Sequence, residues 1–133
     1  MTERLELRFP ECLAEDFPAE LPVARAAVER VLGVIQGQVF ATLVEHSPAL
    51  KENDWTNYLT CSLARMVHAA GALRRAEVRG GRLLDYGAYF GNFAAMFADL
   101  GFTVDAVDSF DTYGEALAQP VALMRTRGIT VLD

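Results

Sequence analysis

The chain has 133 residues, 52% of them apolar or aromatic and 23% charged, with a formal net charge of −6. One globular domain is expected, and a disordered chain is excluded. The acidic balance, with positive residues scattered except for Arg74, Arg75 and Arg79, argues against a phosphate-backbone binder, so nucleic acid is not an expected partner.

Residues 1–20 read as an irregular start, with Pro10 and Pro18 breaking any regular element. They contain no apolar stretch of the signal-peptide kind. No run anywhere reaches the roughly 18 apolar residues of a membrane span, so a cytoplasmic protein is expected. The first long helix is expected from Pro22, a residue suited to a first helical turn. Val28, Val31, Leu32, Ile35, Val39 and Leu43 then recur at helical spacing as one apolar stripe. Gly33 and Gly37 lower helix propensity, yet their spacing would permit close packing of another helix. His46-Ser47-Pro48 marks the expected end.

Asp54 is the expected N-cap of a second long helix. Trp55, Leu59, Leu63, Met66, Ala70 and Leu73 share one face, and Arg74, Arg75 and Arg79 lie near the C-terminal end, where positive charge suits the helix dipole. On this helix Cys61 reads as a small core residue and His68 as a surface or satisfied histidine. With no CxxC or HxxxH spacing, a zinc site is not expected. Residues 1–79 thus form an N-terminal helical region, closed by Gly80-Gly81.

Residues 80–133 change pattern. Arg82–Tyr86 reads as a buried strand, Asn92–Leu100 as a helix stopped by Gly101, and Phe102–Val107 as a second strand. Asp111–Arg127 reads as a further helix interrupted or kinked by Pro120, and Ile129–Leu132 as a third strand after Gly128. This β-α-β-α-β order implies an α/β fold with a parallel, partial Rossmann-like sheet.

The loop after the first strand reads Asp85-Tyr86-Gly87-Ala88-Tyr89-Phe90-Gly91, and Asp108 follows Gly91 by 17 residues at the end of the second strand. Gly87 allows a tight turn and close approach of backbone to a ligand. Gly91 lets a helix start against the strand and offer its free N–H groups. An acid at the position of Asp108 can accept hydrogen bonds from both hydroxyls of a ribose.

The segment LLDYGAYFGNFAAMFADLGFTVDAVDS resembles motif I and the second-strand acid of class I S-adenosylmethionine-dependent methyltransferases. Their pattern is a strand ending in an acid, GxGxG, a helix, a glycine, and a strand ending in an acid. Asp85, Gly87, Gly91 and Asp108 match it; Tyr89 stands where the middle glycine would be. The resemblance implies an S-adenosylmethionine site built from Asp85, Gly87, Ala88, Tyr89, Gly91, Asp108 and Ser109, and a small-molecule methyl acceptor. It identifies no catalytic residue; Tyr58 and His68 are the only candidates for a base. It also implies a larger sheet, of which this sequence supplies the first three strands. The chain is then a piece of a longer enzyme, a chain completed by a partner or by its own oligomer, or a short relative. A methyltransferase-like protein that works by association without catalysis, and a dinucleotide-binding domain, stay open as alternatives, although the GxGxxG spacing of the latter is absent.

Overall fold

The computed structural model describes residues 11–35 and 52–133. In chain order these form helices α1 (Glu11–Asp16), α2 (Glu20–Ile35) and α3 (Glu52–Arg75), strand β1 (Gly81–Tyr86), helix α4 (Asn92–Asp99), strand β2 (Phe102–Val107), a 3-10 segment (Phe110–Leu117), helix α5 (Ala118–Thr126) and strand β3 (Thr130–Leu132). The three strands form one parallel sheet in the order β1-β2-β3. This is the expected α/β architecture with a helical region ahead of it.

The core is one layer of helices on one face of the sheet. Helix α2 packs on α3, α4 and α5. Val28, Val31 and Ile35 of α2 meet Leu59, Leu63 and Met66 of α3, all essentially inaccessible. Burying side chains of this size contributes about 1.5–3 kcal/mol each. From the sheet, Val104 and Ala106 are buried in the same layer. Phe97 of α4 meets Phe102 edge to face at 5.7 Å. An ionic cluster also ties the helices, with Asp99 at the end of α4 accepting from both Arg30 of α2 and Arg127 beyond α5.

Several expectations about boundaries are corrected. Residues 11–16 are helical, and α2 begins two residues before Pro22; a proline in the first turn removes no intrahelical bond. Helix α3 already includes Glu52, so Asp54 lies inside it and is not its N-cap. The expected single helix over Asp111–Arg127 is a 3-10 segment followed by α5, and Pro120 is the third residue of α5. Gly33 is exposed, and among the described residues nothing lies within 4 Å of a Cβ placed on it. Cys61 is exposed rather than in the core. Val39, Leu43, Gly37, the His46-Ser47-Pro48 stop and Pro10 lie outside the described residues, as does the side chain of Trp55.

The largest correction concerns β1, which is not a buried strand. No residue in it is fully buried, and Leu84 and Tyr86 are 59% and 84% exposed. The register explains this. Leu84, Tyr86, Val107 and Leu132 stand on the sheet face that no described helix covers, whereas Leu83 and Asp85 stand with Val104 and Ala106 on the covered face. Strand β1 is also the edge of the sheet.

Candidate functional site

The site expected from the sequence assembles at the carboxyl edge of the sheet, where β1 and β2 end side by side with Tyr86 opposite Val107. Gly87 takes φ +79, and Gly87 and Ala88 both donate their N–H groups to the Val107 carbonyl, at 2.8 and 3.1 Å. This pair of bonds turns the chain from β1 into the loop. A Cβ on Gly87 would meet nothing within 4 Å, so space is open above it.

Tyr89 also has a positive φ, +49, unusual for a residue with a side chain. Its N–H donates to Asp108 Oδ2 at 2.8 Å, and Asp108 Oδ1 accepts the N–H of Ser109 at 2.7 Å. The Asp108 carboxylate therefore ties the first loop to the second while each oxygen keeps a lone pair for another donor. The Tyr89 ring lies against Phe90, 4.1 Å between centroids, and 6.1 Å from Tyr58 of α3.

Gly91, at φ +76, serves packing as well as turning. A Cβ there would stand 2.4 Å from Met124 Sδ, so only glycine lets α4 start this close to α5. Gly91 occupies the N-cap position of α4 without a side chain to offer. Asp85 reaches across from β1 and accepts the N–H of Ala94, the third residue of α4. The expected free N–H groups at this helix start are thus partly used by the protein itself.

Asp85 is the most unusual group in the site. Burial pushes its carboxyl above the usual range, against the pull of the Ala94 bond, and the nearby negative charge of Asp108 pushes it further up. Its Oδ2 is buried without a hydrogen-bond partner. An acid held this way favours a cationic or hydrogen-bond-donating partner.

The structure thus brings Asp85, Gly87, Ala88, Tyr89, Gly91, Asp108 and Ser109 to one edge, with Tyr58 beside them. His68 is not among them. It is exposed on α3, ten residues or roughly 15 Å along the helix from Tyr58, and its ring meets Phe17 edge to face at 4.6 Å. Sequence reasoning missed Asn92, which is buried at the start of α4 with its Nδ2 directed at Met66 Sδ, 3.4 Å away. A polar residue directly after Gly91 was the available signal. Among the described residues, no three His, Cys, Asp or Glu side chains converge on a point that would hold a metal, and no helix is long and apolar enough to cross a membrane. Comparison with family models, with curated proteins and with solved structures returns no match.

Proposed function

We propose that this edge binds S-adenosylmethionine, and that the chain is the donor-binding part of a cytoplasmic methyltransferase acting on a small-molecule acceptor. One observation carries the reading. The loop N–H groups of Gly87, Ala88, Tyr89 and Gly91 all have partners within the protein, whereas two carboxylates, Asp85 and Asp108, converge with acceptor capacity left over. A pyrophosphate needs the opposite, free N–H donors and no nearby carboxylates, so the chemistry here disfavours a dinucleotide. A ligand with an ammonium, a sulfonium and a ribose diol suits it.

The residues fit that group. The orphaned Oδ2 of Asp85 suits the ammonium of the methionine moiety. Asp108 suits the ribose hydroxyls. The open space over Gly87 leaves room for the chain between them. Bound there, the donor supplies an electrophilic methyl group. The protein's part is to hold the donor, exclude water and orient the acceptor. Calorimetric titration with S-adenosylhomocysteine tests the reading: saturable binding that Asp108→Ala removes supports it, and a folded protein that gives no heat of binding refutes it.

A second reading rests on a different observation. Leu84, Tyr86 and Leu132 are exposed together on the sheet face that no described helix covers, next to the edge of β1 that pairs with no other described strand. Such a surface favours association with another chain, and a methyltransferase-like protein acting through association would show it equally.

A further inference from the structure

The opposite edge of the sheet holds a cavity that the donor site does not use. Its volume is about 290 Å³, near the lower limit of small-molecule sites at roughly 300 Å³. Its walls are largely apolar and come from elements that meet below the strands: Ala70 of α3, Phe97 of α4 and Phe102 at the start of β2. Three charged residues join them. Glu20, the first residue of α2, is 3% exposed. Arg74 of α3 donates through Nε to Glu20 Oε1. Arg79 belongs to the exposed link between α3 and β1.

Glu20 Oε2 is buried and has no hydrogen-bond partner. A carboxylate half satisfied in an apolar chamber is costly, because the lost hydration is not replaced. A donor brought by a ligand would replace it. Arg74 spends its Nε on the other oxygen, and Arg79, exposed and lining the same cavity, adds a second cation for an acceptor group on the same ligand.

From this arrangement we infer a second binding site, for an apolar α-amino acid. The ammonium meets Glu20 Oε2, the side chain fills the space between Ala70, Phe97 and Phe102, and the carboxylate faces Arg79. The site lies at the amino ends of the strands, so its occupancy does not depend on the donor reading at the carboxyl ends.

Calorimetric titration of the full chain with L-phenylalanine, phenethylamine and 3-phenylpropionate tests the inference. L-Phenylalanine binds best. Phenethylamine, which keeps the ammonium, binds more weakly, and 3-phenylpropionate, which lacks it, does not bind. Arg79→Met weakens L-phenylalanine at least fivefold and leaves phenethylamine unchanged. Glu20→Gln abolishes both. Ala70→Leu, which fills the chamber and leaves the ion pair in place, abolishes both in a protein whose thermal midpoint shows it to be folded. Asp85→Asn changes neither, which separates this site from the donor edge. Equal binding by 3-phenylpropionate, full binding by Ala70→Leu, loss of binding in Asp85→Asn, or no binding of any probe by the wild-type chain overturns the inference.

Discussion

Asp108 accepts the backbone N–H of Tyr89 at 2.8 Å, so a side chain at the end of β2 holds the loop that follows β1. The bond spans the two loops of the candidate site. It also holds Tyr89 in a left-handed conformation that costs a non-glycine residue about 1 kcal/mol or more. Asp108→Ala removes a charge-assisted bond worth about 1.5–3 kcal/mol, and a fall in thermal midpoint of several degrees is expected alongside loss of S-adenosylhomocysteine binding. Asp108→Asn separates the two effects. Its amide oxygen still accepts from Tyr89 while its NH2 group loses the bond from Ser109, so the midpoint falls less than in Asp108→Ala while affinity falls at least tenfold. Wild-type affinity in Asp108→Asn would show that the carboxylate serves the loop alone.

Asp85 makes a pH-dependent prediction. Its folded-state pKa is raised, first by burial, so the native state holds this proton more tightly than the unfolded chain does. The contribution to stability is full below the unfolded pKa and is lost as pH rises through the folded one. At neutral pH the ionised carboxylate is therefore a net cost. Asp85→Asn keeps an acceptor for the Ala94 N–H and should raise the thermal midpoint by a few degrees at pH 7. The difference from wild type should shrink as pH falls into the ordinary carboxyl range. The same variant should bind S-adenosylhomocysteine at least tenfold more weakly. Thermal melts across pH, paired with titrations, check both halves, and a neutral-pH destabilisation would contradict the assigned cause.

Much of the second half of the chain was legible because its signals are local. The strand over Phe102–Val107 falls on the expected residues, and Gly101 and Gly128 end helices with φ of +96 and +76. Helix starts were misread at Pro22 and Asp54, since each residue is acceptable both at and inside a first turn, and Pro120 stands in the first turn of a helix that was expected to begin at Asp111. The exposure of Leu84 was not legible, because an apolar run does not tell which sheet face is covered. Nor was the burial of Glu20, which depends on Arg74, 54 residues away. That Asp85, Gly87 and Asp108 meet at one edge of the sheet was legible from the order of strand, loop and strand. The bridge from Asp108 to Tyr89 was not, since it requires two loops to meet in space.

The two glycines of the loop should respond differently to the same substitution. At Gly91 a Cβ strikes Met124 and φ is +76, so Gly91→Ala combines overpacking with backbone strain and should cost about 2–4 kcal/mol. Truncating the obstacle with Met124→Ala should recover part of that loss in the double variant. At Gly87 nothing lies within 4 Å, so Gly87→Ala carries only the strain of its φ, about 1 kcal/mol. Its methyl group then stands in the space assigned to the donor, and binding should fall more than stability does. Denaturant titration gives the two stabilities, calorimetry the affinities.

The bare sheet face leads to a prediction about association. Tyr86, Val107 and Leu132 form a row across the three strands at the carboxyl edge, with Leu84 two residues back along β1. The same face carries the Arg82–Asp105 ion pair, at 2.8 Å, and Thr130 beside Asp105. An exposed apolar row ending on a strand edge that pairs with no other described strand is the kind of surface that proteins otherwise cover or charge. The chain should therefore run above its monomer mass of 14.6 kDa in size-exclusion chromatography with light scattering at micromolar concentration. Leu84→Lys and Tyr86→Lys put charges on the row without disturbing the buried face, because both side chains already stand in solvent. Each should shift the protein toward monomer, with a change in thermal midpoint no larger than the loss of association accounts for. If the wild-type chain is a clean monomer, the associative reading fails. If the variants become monomeric yet keep full S-adenosylhomocysteine binding, association and donor binding are separate properties of the two sides of β1.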